Sequence, residues 1–111
     1  METQFTDVAD GAALERLFAR SHEEPVVLFK HSNTCPISAM AYQRMKQCAS
    51  GIALVVVQRS RELSREVEAR TGVQHESPQV LVLRRGQSVW SASHFDITAE
   101  AVERAVRNAE G

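Results

Sequence analysis

The residues best able to do chemistry lie in the stretch FKHSNTCPIS, which runs from Phe29 to Ser38. Cys35 follows the apolar segment 26–31 and precedes Pro36, whose missing N–H and fixed φ suit the first position of a helix. A cysteine at such a strand-to-helix junction meets unsatisfied backbone N–H groups and the positive end of the helix dipole, and both favour an anion. A thiolate is that anion, and thiol–disulfide exchange runs by thiolate attack. Lys30 and His31 stand to add positive charge nearby. Ser38, one turn along the same helix face, can donate its hydroxyl to the sulfur. The competing reading is an inert core cysteine, since free cysteines are often simply buried.

The elements that must hold Cys35 in place follow from periodicity. A helix starts after Asp10, with Ala13, Leu14, Leu17 and Phe18 on one face. Segment 26–31 reads as a buried strand, and a helix from Pro36 to about Ala49 carries Ile37, Met40, Ala41, Met45 and Cys48 on one side. Segment 52–57 is a second buried strand. Ser60 caps a charged helix that ends at Gly72. Segments 79–83 and 88–94, joined across Arg84, Gly86 and Gln87, form an antiparallel hairpin, and Thr98 caps a last helix. This order predicts an α/β, thioredoxin-like fold: a four-stranded mixed sheet, parallel βαβ plus C-terminal antiparallel ββα, with an extra N-terminal helix.

Composition bounds the rest. A length of 111 residues, 43% of them hydrophobic, fits one domain spanning 1–111 with a core that needs neither disulfides nor metal. Thirteen Lys and Arg against 14 Asp and Glu leave a net charge of −1, which disfavours a nucleic-acid binder. No apolar run approaches the roughly 18 residues that span a bilayer, and the first residues lack a secretory layout. The expectation is a cytoplasmic monomer without membrane attachment. Two cysteines make no disulfide scaffold, so cysteine function here is reactive rather than structural.

The stretch FKHSNTCPISAMAY, with the later HESPQVLVL and SASHFDIT, resembles the monothiol bacilliredoxin family, thioredoxin-like proteins of the bacillithiol redox system. The resemblance runs from about Val26 to the final helix. It implies that Cys35 is the nucleophile, that S-bacillithiolated proteins are the clients, and that bacillithiol is a co-substrate carried briefly on Cys35, with no tightly bound cofactor. Another thiol or a reductase partner then regenerates Cys35. It further implies that Ser77–Pro78 is a cis-proline turn facing the active cysteine, so that Thr34, Ser77 and Pro78 contact the bound disulfide. A plain strand-entry proline fits the sequence equally well.

A one-cysteine mechanism makes sense of the residues. Ser38 holds the position of the second thiol in dithiol thioredoxins, so Cys35-Pro36-Ile37-Ser38 cannot close a local disulfide. Cys48 lies 13 residues on, about 20 Å along a continuous helix, and reads as a buried small hydrophobe. His31 and His75 do not combine with these cysteines in a recognised zinc spacing, so no metal is expected. His94 reads as fixing the turn into the last helix, His22 as solvated loop, and Trp90 and Phe95 as packing residues. Two alternatives stay open. One is exchange with glutathione, although LVLRRGQ lacks the glycine pair of glutaredoxins and Pro36 stands where their monothiol members carry glycine. The other is a non-catalytic binding module on the same fold.

Overall fold

A computed structural model describes residues 5–110. In chain order the elements are β1 (Phe5–Asp7), α1 (Gly11–Arg20), β2 (Val26–His31), α2 (Pro36–Met45), β3 (Ile52–Val56), α3 (Arg61–Thr71), β4 (Gln79–Arg84), β5 (Gln87–Ser93), a short 3-10 turn (His94–Asp96) and α4 (Ala99–Ala109). The sheet has five strands in the order β1-β3-β2-β4-β5, one more than the sequence predicts. The added strand, β1, pairs parallel to β3 with Phe5 opposite Ile52. Three residues are too few to show a period, and only pairing with β3 makes them a strand. β2 and β3 are parallel, whereas β4 runs antiparallel to β2 and β5 antiparallel to β4.

The central strands are apolar on both faces because both faces are covered. Val26 and Leu28 of β2 pack with Leu14, Leu17 and Phe18 of α1 and Leu63 and Val67 of α3. Val27 and Phe29 pack on the other face with Ala41 and Met45 of α2 and Val102 and Ala105 of α4. Each such Val, Leu or Phe contributes about 1.5–3 kcal/mol by leaving water, so β2 is anchored from both sides up to the residue where the reactive loop begins.

Local signals set the boundaries. Asp10 caps α1 by accepting the Ala13 N–H at 2.8 Å, and Thr98 caps α4 by accepting that of Ala101 at 3.1 Å. Ser60 precedes α3 as expected, but its side chain makes no capping bond. Gly72 ends α3 at φ 74°, a conformation that suits a residue without Cβ. Between β4 and β5 the two turn residues, Arg85 and Gly86, both have positive φ, which matches the right-handed twist of a tight hairpin. α2 stops at Met45 rather than near Ala49, because tighter bonds from the Gln47 and Cys48 N–H groups to the Arg44 and Met45 carbonyls close its end. Cys48 still points into the core, which is why its apolar spacing extends beyond the helix itself. Among the described residues no helix is long and apolar enough to cross a membrane.

Candidate active site

The strand pairing gathers four segments at one edge of the sheet: residues 32–35 after β2, 57–58 after β3, 77–78 before β4 and His94 after β5. This is the edge at the carboxyl ends of the parallel strands, where open α/β sheets collect ligands.

Cys35 is the residue immediately before α2, with extended backbone (φ −104°, ψ 124°) and a side chain that makes no capping bond. Pro36 brings no N–H. The Ala39 N–H is bonded back to the Cys35 carbonyl at 3.0 Å, which leaves the amides of Ile37 and Ser38 as the pair that a capping side chain addresses. A helix N-terminus stabilises an anion by about 0.3–1 kcal/mol. Cys35 is a free cysteine, partly exposed, at the N-terminus of α2.

His31 ends β2 on the α2 side of the sheet. Its ring lies between Phe29 and Tyr42, at centroid distances of 5.5 and 5.0 Å, and its Nδ1 is 2.8 Å from Ser38 Oγ. Burial draws its pKa below the ordinary 6.5, opposed in part by a hydrogen bond to the Ser38 backbone. Ser38 Oγ also accepts the Ser32 N–H at 2.8 Å. When the ring proton sits on Nε2 the Ser38 hydroxyl donates to Nδ1, and with the other tautomer the bond reverses. Ser38 is fully buried, and its hydroxyl fastens the first turn of α2 to the end of β2. Ser38→Ala strands the buried Ser32 N–H and is expected to cost about 1–3 kcal/mol, read as a lower urea midpoint at unchanged slope.

Thr34 and the loop before Cys35 are held by Gln58, which the sequence reading did not single out. Gln58 Nε2 donates to Ser32 Oγ at 2.6 Å and to Thr34 Oγ1 at 3.0 Å, while its Oε1 accepts the Asn33 N–H at 3.2 Å. The available signal was position: Gln58 is a polar residue just beyond the carboxyl end of a buried parallel strand.

Lys30 is fully buried on the opposite sheet face from His31, as alternation along β2 requires. Its ammonium donates to His75 Nδ1 at 3.2 Å. Burial lowers Lys30 to about 8, with Glu68 opposing. His75 is lowered by burial first and then by the Lys30 charge. Lys30 thus meets the loop ahead of Pro78, on the far side of the sheet from α2. The Ser77–Pro78 peptide bond is cis, and the Pro78 carbonyl accepts the N–H of His94 at 3.1 Å. Ser77 Oγ is buried without a partner among the described residues.

Cys48 is fully enclosed among Ala41, Met45 and Val102, and burial, aided by Glu103, pushes its thiol up to about 11. Iodoacetamide at pH 7.5 is therefore expected to label Cys35 alone in the folded protein, and Cys48 only after denaturant is added. Peptide mass mapping checks this.

Comparison with known proteins bears on the fold and the family. The family profile described as monothiol bacilliredoxin BrxC matches residues 6–102. A solved structure described as a candidate oxidoreductase with a thioredoxin fold is 31% identical with a TM-score of 0.82, covering 91% of this chain and 92% of that one. Thioredoxin from Malassezia sympodialis is 12% identical with a TM-score of 0.75, covering 100% of this chain and 94% of its own. Thioredoxin from Trypanosoma brucei brucei is 13% identical, also at 0.75, covering 95% and 89%. At such identities the thioredoxins speak to the fold alone.

Proposed function

The chain belongs to the monothiol bacilliredoxin family, and on that premise we propose that it is a thiol–disulfide oxidoreductase whose Cys35 takes bacillithiol from mixed disulfides on client proteins. The observation that carries this reading is the pairing of an accessible Cys35 at the start of α2 with Ser38, not a second thiol, one turn further on. The Cys35 thiolate attacks the bacillithiol sulfur of a capped client. The Cys35–bacillithiol disulfide forms, the client disulfide breaks, and the client cysteine leaves as thiolate. Ser38 cannot displace the cargo and Cys48 is enclosed, so the adduct persists until an external thiolate attacks it and restores Cys35. Thr34, Ser77 and Pro78 line the edge at which the client disulfide is presented. The setting is a reducing cytoplasm, where protein thiols are normally free and a cap must be removed to restore them.

The experiment is intact mass of the reduced protein after mixing with bacillithiol disulfide, beside glutathione disulfide at equal concentration. A Cys35 adduct forming at least about tenfold faster with bacillithiol, a gap of about 1.4 kcal/mol in barrier, supports the proposal. Equal rates contradict the choice of thiol, and no adduct with either contradicts the exchange activity itself.

A further inference from the structure

Beside the Cys35 loop lies a pocket of about 410 Å³, between α3 and the loop that leads to Pro78. Its size falls in the range of small-molecule sites, about 300–1,000 Å³. Gln58, Arg61, Ser64, Arg65, Glu68 and His75 line it. Three observations show what it is built to take. Ser64 is only 4% exposed, and its hydroxyl has no hydrogen-bond partner among the described residues. Lys30, wholly buried and outside the lining, donates to His75 of the lining and so sets a positive charge behind the pocket. Two arginines flank the opening against one carboxylate, Glu68, so the local charge is positive. A buried hydroxyl without a partner is costly, and beside a positive pocket that cost is relieved by an anion that accepts from it.

We infer that this pocket receives the carboxylate end of the low-molecular-weight thiol while its sulfur is joined to Cys35. The inference rests on the proposed function for the identity of that thiol, but not for the pocket's preference for carboxylates. Gln58 supplies the link, since it lines the pocket and also holds Ser32 and Thr34, the residues leading to Cys35. A ligand tethered at Cys35 passes Thr34 and Gln58 to reach Arg61, Arg65 and Ser64. The covalent step is unchanged. The pocket adds a contact that discriminates among thiols by the carboxylates they carry.

The test is an NMR titration of the reduced full-length protein with sodium malonate, with sodium phosphate and sodium chloride at matched ionic strength as the other arms. Saturable shifts with malonate at the amides of Gln58, Ser64 and His75 are expected. They should weaken about tenfold in Arg65→Gln, as for loss of one charged hydrogen bond of about 1.4 kcal/mol. Ser64→Ala should weaken malonate about fivefold and yet leave the melting temperature unchanged or raised, because it removes an unpartnered hydroxyl and places alanine within a helix. Shifts no larger than those with chloride overturn the inference, and saturation by phosphate but not by malonate overturns the carboxylate class. The source is then decided at Cys35: saturating malonate should slow adduct formation from bacillithiol disulfide, and an unchanged rate assigns the pocket to a free carboxylate instead, against the inference. If the native protein does not react with bacillithiol disulfide at all, the proposed function fails while the titration still decides the pocket's chemistry.

Discussion

Replacing Cys35 by serine is expected to remove exchange completely, leaving only the uncatalysed rate between bacillithiol and capped clients. A serine hydroxyl forms no disulfide, so neither adduct nor turnover can persist at a reduced level. The loss should come without a large change in stability, because the Cys35 side chain is half-buried and makes no capping bond. Serine can accept from the free amides of the first turn of α2 as a helix cap, and the urea midpoint should hold or rise slightly. Cys48→Ser should do the reverse. It swaps a fully buried thiol for a more polar hydroxyl and should lower the urea midpoint, yet leaves the rate of adduct formation at Cys35 intact. Retained exchange in Cys35→Ser, or its loss in a folded Cys48→Ser, would contradict the assignment of the nucleophile.

The second large effect is expected at Lys30. Its pKa falls from 10.5 to about 8 on folding, chiefly because burial penalises the ammonium. At 1.36 kcal/mol per unit the shift corresponds to about 3 kcal/mol of destabilisation at neutral pH. Between pH 8 and 10.5 the unfolded chain binds more protons than the folded one, so stability rises with pH across that window. The cost is fully present below pH 8 and gone above 10.5. Cys48 acts in the opposite sense, since its thiol is raised from 9.0 to about 11 and the folded chain holds that proton longer. Its contribution is complete below pH 9 and lost as pH rises toward 11. The native protein should therefore gain stability from pH 8 and flatten once Cys48 begins to titrate. Lys30→Met keeps the length of the side chain and removes the charge. That variant should be more stable at pH 7 by up to about 3 kcal/mol, less the roughly 1 kcal/mol of the lost bond to His75, and should show no alkaline rise. Urea unfolding at intervals from pH 7 to 10.5 checks both features. A variant that is less stable at pH 7, or that keeps the rise, would contradict the buried-ammonium reading.

Much of this arrangement is legible before any coordinates because strong local signals coincide at one place. A buried run, a cysteine and a helix-starting proline define the junction at Cys35, and the spacing of turns and apolar faces gives the order of elements from α1 onward. What the sequence hides depends on pairing in space. β1 is a strand only through its register with Ile52 and its neighbours. Lys30 and His31 are adjacent in the chain and read alike as charges near Cys35, yet alternation sends them to opposite faces of the sheet, one to His75 and the other to Ser38. The spacing of Ser38 places it correctly on the first turn, but whether its hydroxyl meets the sulfur or the end of β2 depends on how closely α2 packs against that strand. Gln58 has no local pattern of its own. Its role comes from the parallel pairing of β2 and β3, which brings the residues beyond both strands to the same edge.

The most direct test uses a small model protein whose single cysteine carries a bacillithiol cap, mixed with the reduced protein, with the intact masses of both chains followed in time. The client is expected to lose its cap at the rate at which a one-bacillithiol adduct appears on this chain, mapped to the peptide containing Cys35. A client that keeps its cap, or loses it while Cys35 stays unmodified and no free carrier thiol has been added, would contradict transfer through Cys35.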